Sequence, residues 1–126
     1  MEFCGACFYR NLPQSALEPG KYRVTLRYSG KNLRKENFAS RHRARLRELY
    51  KPDPVEPLPV DISLNYTASD GTMKTQTKTV FVSGDVSGKN IIADFVLKEK
   101  GTAPFLKVAC EPDRSSLFFV EELSFE

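Results

Sequence analysis

Strict alternation of apolar and polar residues is the feature that most limits what this chain can become. In Lys21-Tyr-Arg-Val-Thr-Leu-Arg-Tyr28, Tyr22, Val24, Leu26 and Tyr28 fall on one side and Arg23, Thr25 and Arg27 on the other. Val60-Asp-Ile-Ser-Leu-Asn-Tyr66 repeats the pattern, with Val60, Ile62, Leu64 and Tyr66 together. A period of two, carried by β-branched and aromatic residues, belongs to strands that bury one face only. Ser69-Asp70-Gly71 is a tight-turn signal, and Met73 to Val82 reads as a Thr-rich strand returning beside the second segment. Further strands are expected over Ile91–Leu97, Phe105–Cys110 and Leu117–Phe125.

Links of hairpin length cannot join parallel neighbours, so the pairing is antiparallel. Six to seven two-faced strands are expected to stack as a two-sheet β-sandwich, with a partly open barrel as the alternative. A chain of 126 residues has room for one such domain. Residues 1–19, with Pro13 and Pro19, read as irregular, and 20–126 as the sandwich. Ser29-Gly30 is expected to end the first long strand, and Gly84 to Gly88 to form a turn. Pro52 to Pro59, with four prolines, reads as an extended connector.

The period changes between Asn37 and Tyr50. Phe38, His42, Leu46, Leu49 and Tyr50 recur at helical spacing, Asn37 is placed to cap, and Pro52 stops the run. One short helix inserted into an otherwise all-β fold is therefore expected. Lys31 to Lys51 holds eight basic and two acidic residues, while the rest of the chain is mildly acidic. Arg41, Arg43, Arg45 and Arg47 make this segment the principal charge feature.

Catalytic signatures do not stand out. His42 is the one histidine, and it lies in the arginine-rich segment with no spacing that suggests a nucleophile or orienting carboxylate. Glu121 and Glu122 are consecutive, so a regular strand would point them to opposite faces. Cys4-Gly-Ala-Cys7 has the C-x-x-C spacing, but no second ligand pair completes a zinc site. Cys110 is the third cysteine. No glycine cluster precedes a helix as a phosphate cradle would, so no cofactor, metal or small-molecule substrate is implied. Asn65-Tyr-Thr67 is a glycosylation sequon on an expected strand. Gly5-Ala6-Cys7 is similar to the end of a bacterial lipoprotein leader, which would make Cys7 the lipidated residue, although no basic start or apolar run precedes it.

Several segments together resemble the small β-sandwich immunity lipoproteins with which Gram-negative bacteria neutralise type VI secretion effectors. The likeness rests on Gly20 to Tyr28, on Arg45-Leu-Arg-Glu-Leu-Tyr50, on Pro57-Leu-Pro-Val-Asp-Ile-Ser-Leu64, and on Phe105 to Pro112 continuing to Phe125. It implies a non-catalytic protein that binds a toxin, a lipase effector being one candidate. It also implies a periplasmic location, with outer-membrane anchoring through a lipid on Cys7.

The leading expectation is thus a protein-binding module acting through Arg41, Arg43, Arg45 and Arg47, with Asp70 and Asp85 on exposed loops. A carbohydrate- or lipid-surface-binding domain on the same scaffold is the alternative; the absence of Trp counts against it. Nucleic-acid binding through the basic segment is less favoured, because few aromatics interleave the arginines for base stacking.

Overall fold

The structure, a computed structural model, describes residues 7–35, 56–113 and 115–126. Among the described residues eight strands appear in chain order: β1 (Cys7–Asn11), β2 (Ala16–Leu17), β3 (Gly20–Leu33), β4 (Leu58–Thr67), β5 (Met73–Val82), β6 (Gly84–Leu97), β7 (Gly101–Ala109) and β8 (Leu117–Phe125). They form two antiparallel sheets. One runs β1-β7-β4-β5, with β2 also on β7; the other runs β6-β3-β8.

The alternation in the sequence decides which residues meet between the sheets. Val24, Leu26 and Tyr28 of β3, Ile91, Ala93, Phe95 and Leu97 of β6, and Phe118, Val120 and Leu123 of β8 face inward. From the other sheet come Val60, Ile62, Leu64 and Tyr66 of β4 and Leu106 and Val108 of β7. Phe95, Phe118, Leu26, Ile62 and Leu64 are fully enclosed. Each such side chain contributes about 1.5–3 kcal/mol on leaving water, which makes the buried stripe the main stabilising term. Tyr28 stacks on Phe118 with ring centroids 5.6 Å apart, and burial raises its phenol pKa.

The two-sheet β-sandwich and the β4–β5 hairpin are as expected. At the turn the Ala68 amide donates to Thr72 and the Gly71 amide to Ala68, with Gly71 at φ 86°. The strand ends differ from expectation for identifiable reasons. Residues 1–19 are not wholly irregular: β1 and β2 pair along β7 and cover what would be its open edge. Ser29-Gly30 does not end β3, which continues through a register shift to Leu33. A Cβ on Gly30 would lie 2.7 Å from the Leu117 carbonyl oxygen, so glycine there serves close approach rather than a turn. Gly84, at φ 73°, opens β6 instead of a turn. Leu58 and Pro59 belong to β4, not to a connector; pairing with β7 begins only at Asp61, so Pro59 takes no ladder bond from that side. The expected helix, His42, Cys4 and the four arginines lie outside the described residues.

Two long side chains staple the open seams between the sheets. Arg10 of β1 donates to the Leu123 carbonyl on the edge strand β8 at 2.6 Å. Gln76 of β5 donates to the Val96 carbonyl on the edge strand β6 at 2.7 Å. Each gives an edge carbonyl a partner that a further strand would otherwise supply.

Candidate binding surface

The outer faces of the two sheets differ in chemistry. On the three-stranded sheet, opposite charges interlock: Arg23 pairs with Asp94 at 2.8 Å and Arg27 with Glu121 at 3.2 Å. The Arg23 bond holds the Asp94 carboxyl below its ordinary range. Exposed ion pairs of this kind are worth little and mark a solvated face. Glu121 and Glu122 do not point to opposite faces. Register shifts there, with Arg27 opposite Glu122 and Tyr28 opposite Val120, so Glu121 is the extra residue of a β-bulge and both carboxylates are exposed. Beside Arg23 and Asp94 lies an open cleft of about 550 Å³, walled by Lys21, Tyr22, Val96 and Glu126.

The outer face of the five-stranded sheet carries hydroxyls, amides and rings. Its central strand β4 turns Asp61, Ser63 and Asn65 outward, because Val60, Ile62, Leu64 and Tyr66 face the core. Opposite them on β5 stand Thr79, Thr77 and Thr75. All three cross-strand pairs are hydrogen-bonded. The Thr79 hydroxyl donates to Asp61 Oδ1 at 2.6 Å and the Thr75 hydroxyl to Asn65 Oδ1 at 2.6 Å; Ser63 and Thr77 share a bond of 3.0 Å. On the other flank, β7 sets Ala109, Lys107 and Phe105 beside the same three residues, and β1 continues the last two rows with Tyr9 and Asn11.

Ser63 and Asn65 are only 7% and 6% exposed although they face away from the core. They therefore form the floor of a trough along β4, flanked by the threonine row on one side and by Phe105 and Lys107 on the other. From Asp61 to Asn65 the floor is about 13 Å long, at the usual strand rise. Tyr9, 59% exposed, leans on Phe105 with ring centroids 6.2 Å apart and planes at 46°. The Lys107 ammonium sits 5.6 Å from the Tyr9 ring centroid. Phe81 and Met73, both well exposed, mark the two ends of β5 on this face. Asn65 Nδ2 is buried and has no hydrogen-bond partner among the described residues. An amide donor in that state costs about 1–3 kcal/mol.

The residues expected to act together do not gather at one site. Asp70 occupies the β4–β5 turn, where its Oδ1 accepts bonds from the Thr72 hydroxyl and amide, which lower its pKa. Asp85 is the second residue of β6 and accepts from the Asn32 amide at 2.8 Å. The whole of β5 separates them, roughly 30 Å of extended chain. Arg41, Arg43, Arg45 and Arg47 lie outside the described residues; the flanking Lys35 amide donates to the Glu56 carbonyl at 3.0 Å, at the same end of the sandwich as Asp85. Cys7 heads β1, its backbone opposite Ala109. The sequon asparagine is the trough-floor Asn65, too buried to accept a glycan in the folded protein.

Tyr9, Lys107 and the three threonines were not singled out from sequence, and Asn65 was singled out only as a sequon. A signal for the threonines was present: Thr75, Thr77 and Thr79 recur at period two opposite Asp61, Ser63 and Asn65. Among the described residues no three His, Cys, Asp or Glu side chains group as a metal site requires.

No protein-family model matches this chain, and no curated protein sequence matches it significantly. Among solved structures it is similar to a family 16 carbohydrate-binding module, module-2, with a TM-score of 0.51 and 12% identity over 98% of this chain and 72% of that one. It also superposes on TmCBM61 in complex with β-1,4-galactotriose, with a TM-score of 0.43 and 16% identity over 98% of this chain and 66% of that one. The first likeness agrees with the two-sheet build; at that identity it speaks to the fold alone.

Proposed function

We propose that this protein is a non-catalytic binding module that takes a saccharide chain in the trough on the outer face of its five-stranded sheet. The observation that carries the reading is the trough itself: exposed Tyr9 and half-buried Phe105 beside a floor of Ser63, Asn65 and Asp61. Sugar rings present apolar C–H faces that stack on aromatic side chains and hydroxyls that both donate and accept, so they suit a surface of rings interleaved with amides and hydroxyls. The similarity in build to a carbohydrate-binding module supports this reading over one based on a protein partner.

The test is affinity electrophoresis through gels containing xylan, cellulose derivatives, galactan or polygalacturonate. At least one polymer retards the wild-type protein, and Tyr9→Ala abolishes the retardation while melting at the same temperature. Free migration through every polymer would overturn the reading.

A toxin-neutralising role remains a second proposal, favoured by one arrangement. Lys35 and Glu56 are hydrogen-bonded neighbours, so the segment with Arg41, Arg43, Arg45 and Arg47 leaves and rejoins the sandwich at one point. In that role the arginines would meet an acidic protein surface, and a lipid on Cys7 would hold the protein at a periplasmic membrane. Charge reversal of the four arginines that leaves a toxin complex intact on a sizing column would remove it.

A further inference from the structure

We infer that the trough selects an acidic glycan, one whose sugar rings bear carboxylates, and that Lys107 and Asn65 receive the carboxylate. The inference rests on the carbohydrate-binding reading and adds the class of sugar.

Two independent observations meet at this place. Lys107 is half-buried and has no carboxylate partner among the described residues; the contact of its ammonium is with the Tyr9 ring. Elsewhere Arg23, Arg27, Arg34, Lys35 and Lys100 face a carboxylate, and Lys31, Lys89 and Lys98, which form no ion pair among the described residues, are exposed where Lys107 is half-buried. Asn65, meanwhile, buries an amide nitrogen with no acceptor among the described residues. Both unfilled groups are donors, and both stand on the outer face of adjacent strands. Lys107 is directly opposite Ser63, and Asn65 is the next outward residue of β4, which makes the two diagonal neighbours about 7–8 Å apart.

Once the side chains that cover Asn65 Nδ2 shift to admit it, one planar carboxylate bridges such a pair, since its two oxygens accept from an ammonium and an amide at once. A neutral hydroxyl fills either donor but leaves the cation without a counter-charge. Asp61 lies on the other diagonal from Lys107, with Oδ1 accepting from Thr79. Its charge repels a second carboxylate, which sets the acidic group towards Asn65 and Phe105. The sugar ring then rests against Tyr9 and Phe105.

The experiment measures binding of the whole chain to polygalacturonate and to alginate, each beside its fully esterified form, which keeps the ring and removes the charge. The acid form is expected to bind about tenfold tighter or more, as for a charge-assisted hydrogen bond, and the excess to fall with added salt. Lys107→Met is expected to bind acid and ester alike, and Asn65→Leu to lose most of the preference. Lys107→Gln serves as a second variant if Lys107→Met melts early. Equal binding of acid and ester by the wild type would overturn the inference and leave the carbohydrate reading standing. A preference that survives in both lysine variants would overturn the inference as well. Failure to bind these polymers or any neutral polysaccharide would overturn both.

Discussion

Replacing Asn65 by leucine and Thr75 by valine together should make this protein more stable and unable to bind. In the native sheet the Thr75 hydroxyl donates to Asn65 Oδ1 at 2.6 Å, and Asn65 Nδ2 stays buried without a partner among the described residues. Removing the orphaned amide relieves a penalty of about 1–3 kcal/mol, and removing the Thr75 bond loses about 0.5–1.5 kcal/mol. Leucine and valine are close in size to the residues they replace and suit a strand, so overpacking adds little. The net is a gain of about 1 kcal/mol, or roughly 2–6 °C in melting temperature for a domain of this size. Urea unfolding is the assay: the midpoint should rise at constant slope, so that the change belongs to stability and not to compactness. A midpoint that falls would refute the reasoning. It would mean that the trough floor is built for the fold, with its amide satisfied by ordered water, and not held in readiness for a ligand.

Three further outcomes follow from the packing. Gln76→Ala removes the bond to the Val96 carbonyl and should cost about 0.5–1 kcal/mol, with amide exchange speeding up along β6 more than along β8. Gly101→Ala would put a Cβ 2.7–2.8 Å from Tyr66 side-chain carbons and should destabilise by about 1–3 kcal/mol, read as a lower urea midpoint. The Ser115 hydroxyl, with Arg34 beside it, holds the Asp113 carboxyl below its usual pKa, while burial opposes them. The depressed folded-state pKa means that this contribution is present above the ordinary carboxylate range and fades as pH falls through the folded value. Stability lost below about pH 4 should therefore be smaller in Asp113→Asn, by melting temperature against pH.

How far this architecture could be read in advance depended on whether a segment buries one face. Val24, Leu26 and Tyr28, or Ile62, Leu64 and Tyr66, show their strands because their partners across the core are apolar. β1 gave little warning. Its inward residues are Phe8 and Arg10, and an arginine that reaches an edge carbonyl resembles a solvated one in sequence. The Glu121–Glu122 bulge was hidden for a related reason: one inserted residue breaks the period, and nothing local says whether the strand ends or bends. The site was less legible than the fold. Tyr9, Lys107 and Asn65 lie on three strands and come together only through the β1-β7-β4 order. A buried Asn facing outward has no mark in sequence that distinguishes it from an exposed one. Asp70 and Asp85 stood out as loop acids, and loops at opposite ends of a long strand have no common surface.

The most direct test of the outward trough as the working surface is a residue-by-residue map of backbone amide shifts during titration with the tightest-binding oligosaccharide. The changes should centre on Tyr9, Ser63, Asn65, Thr75, Phe105 and Lys107, with the β6-β3-β8 sheet silent. Changes confined to the cleft beside Arg23 and Asp94, or to residues 36–55, would contradict it.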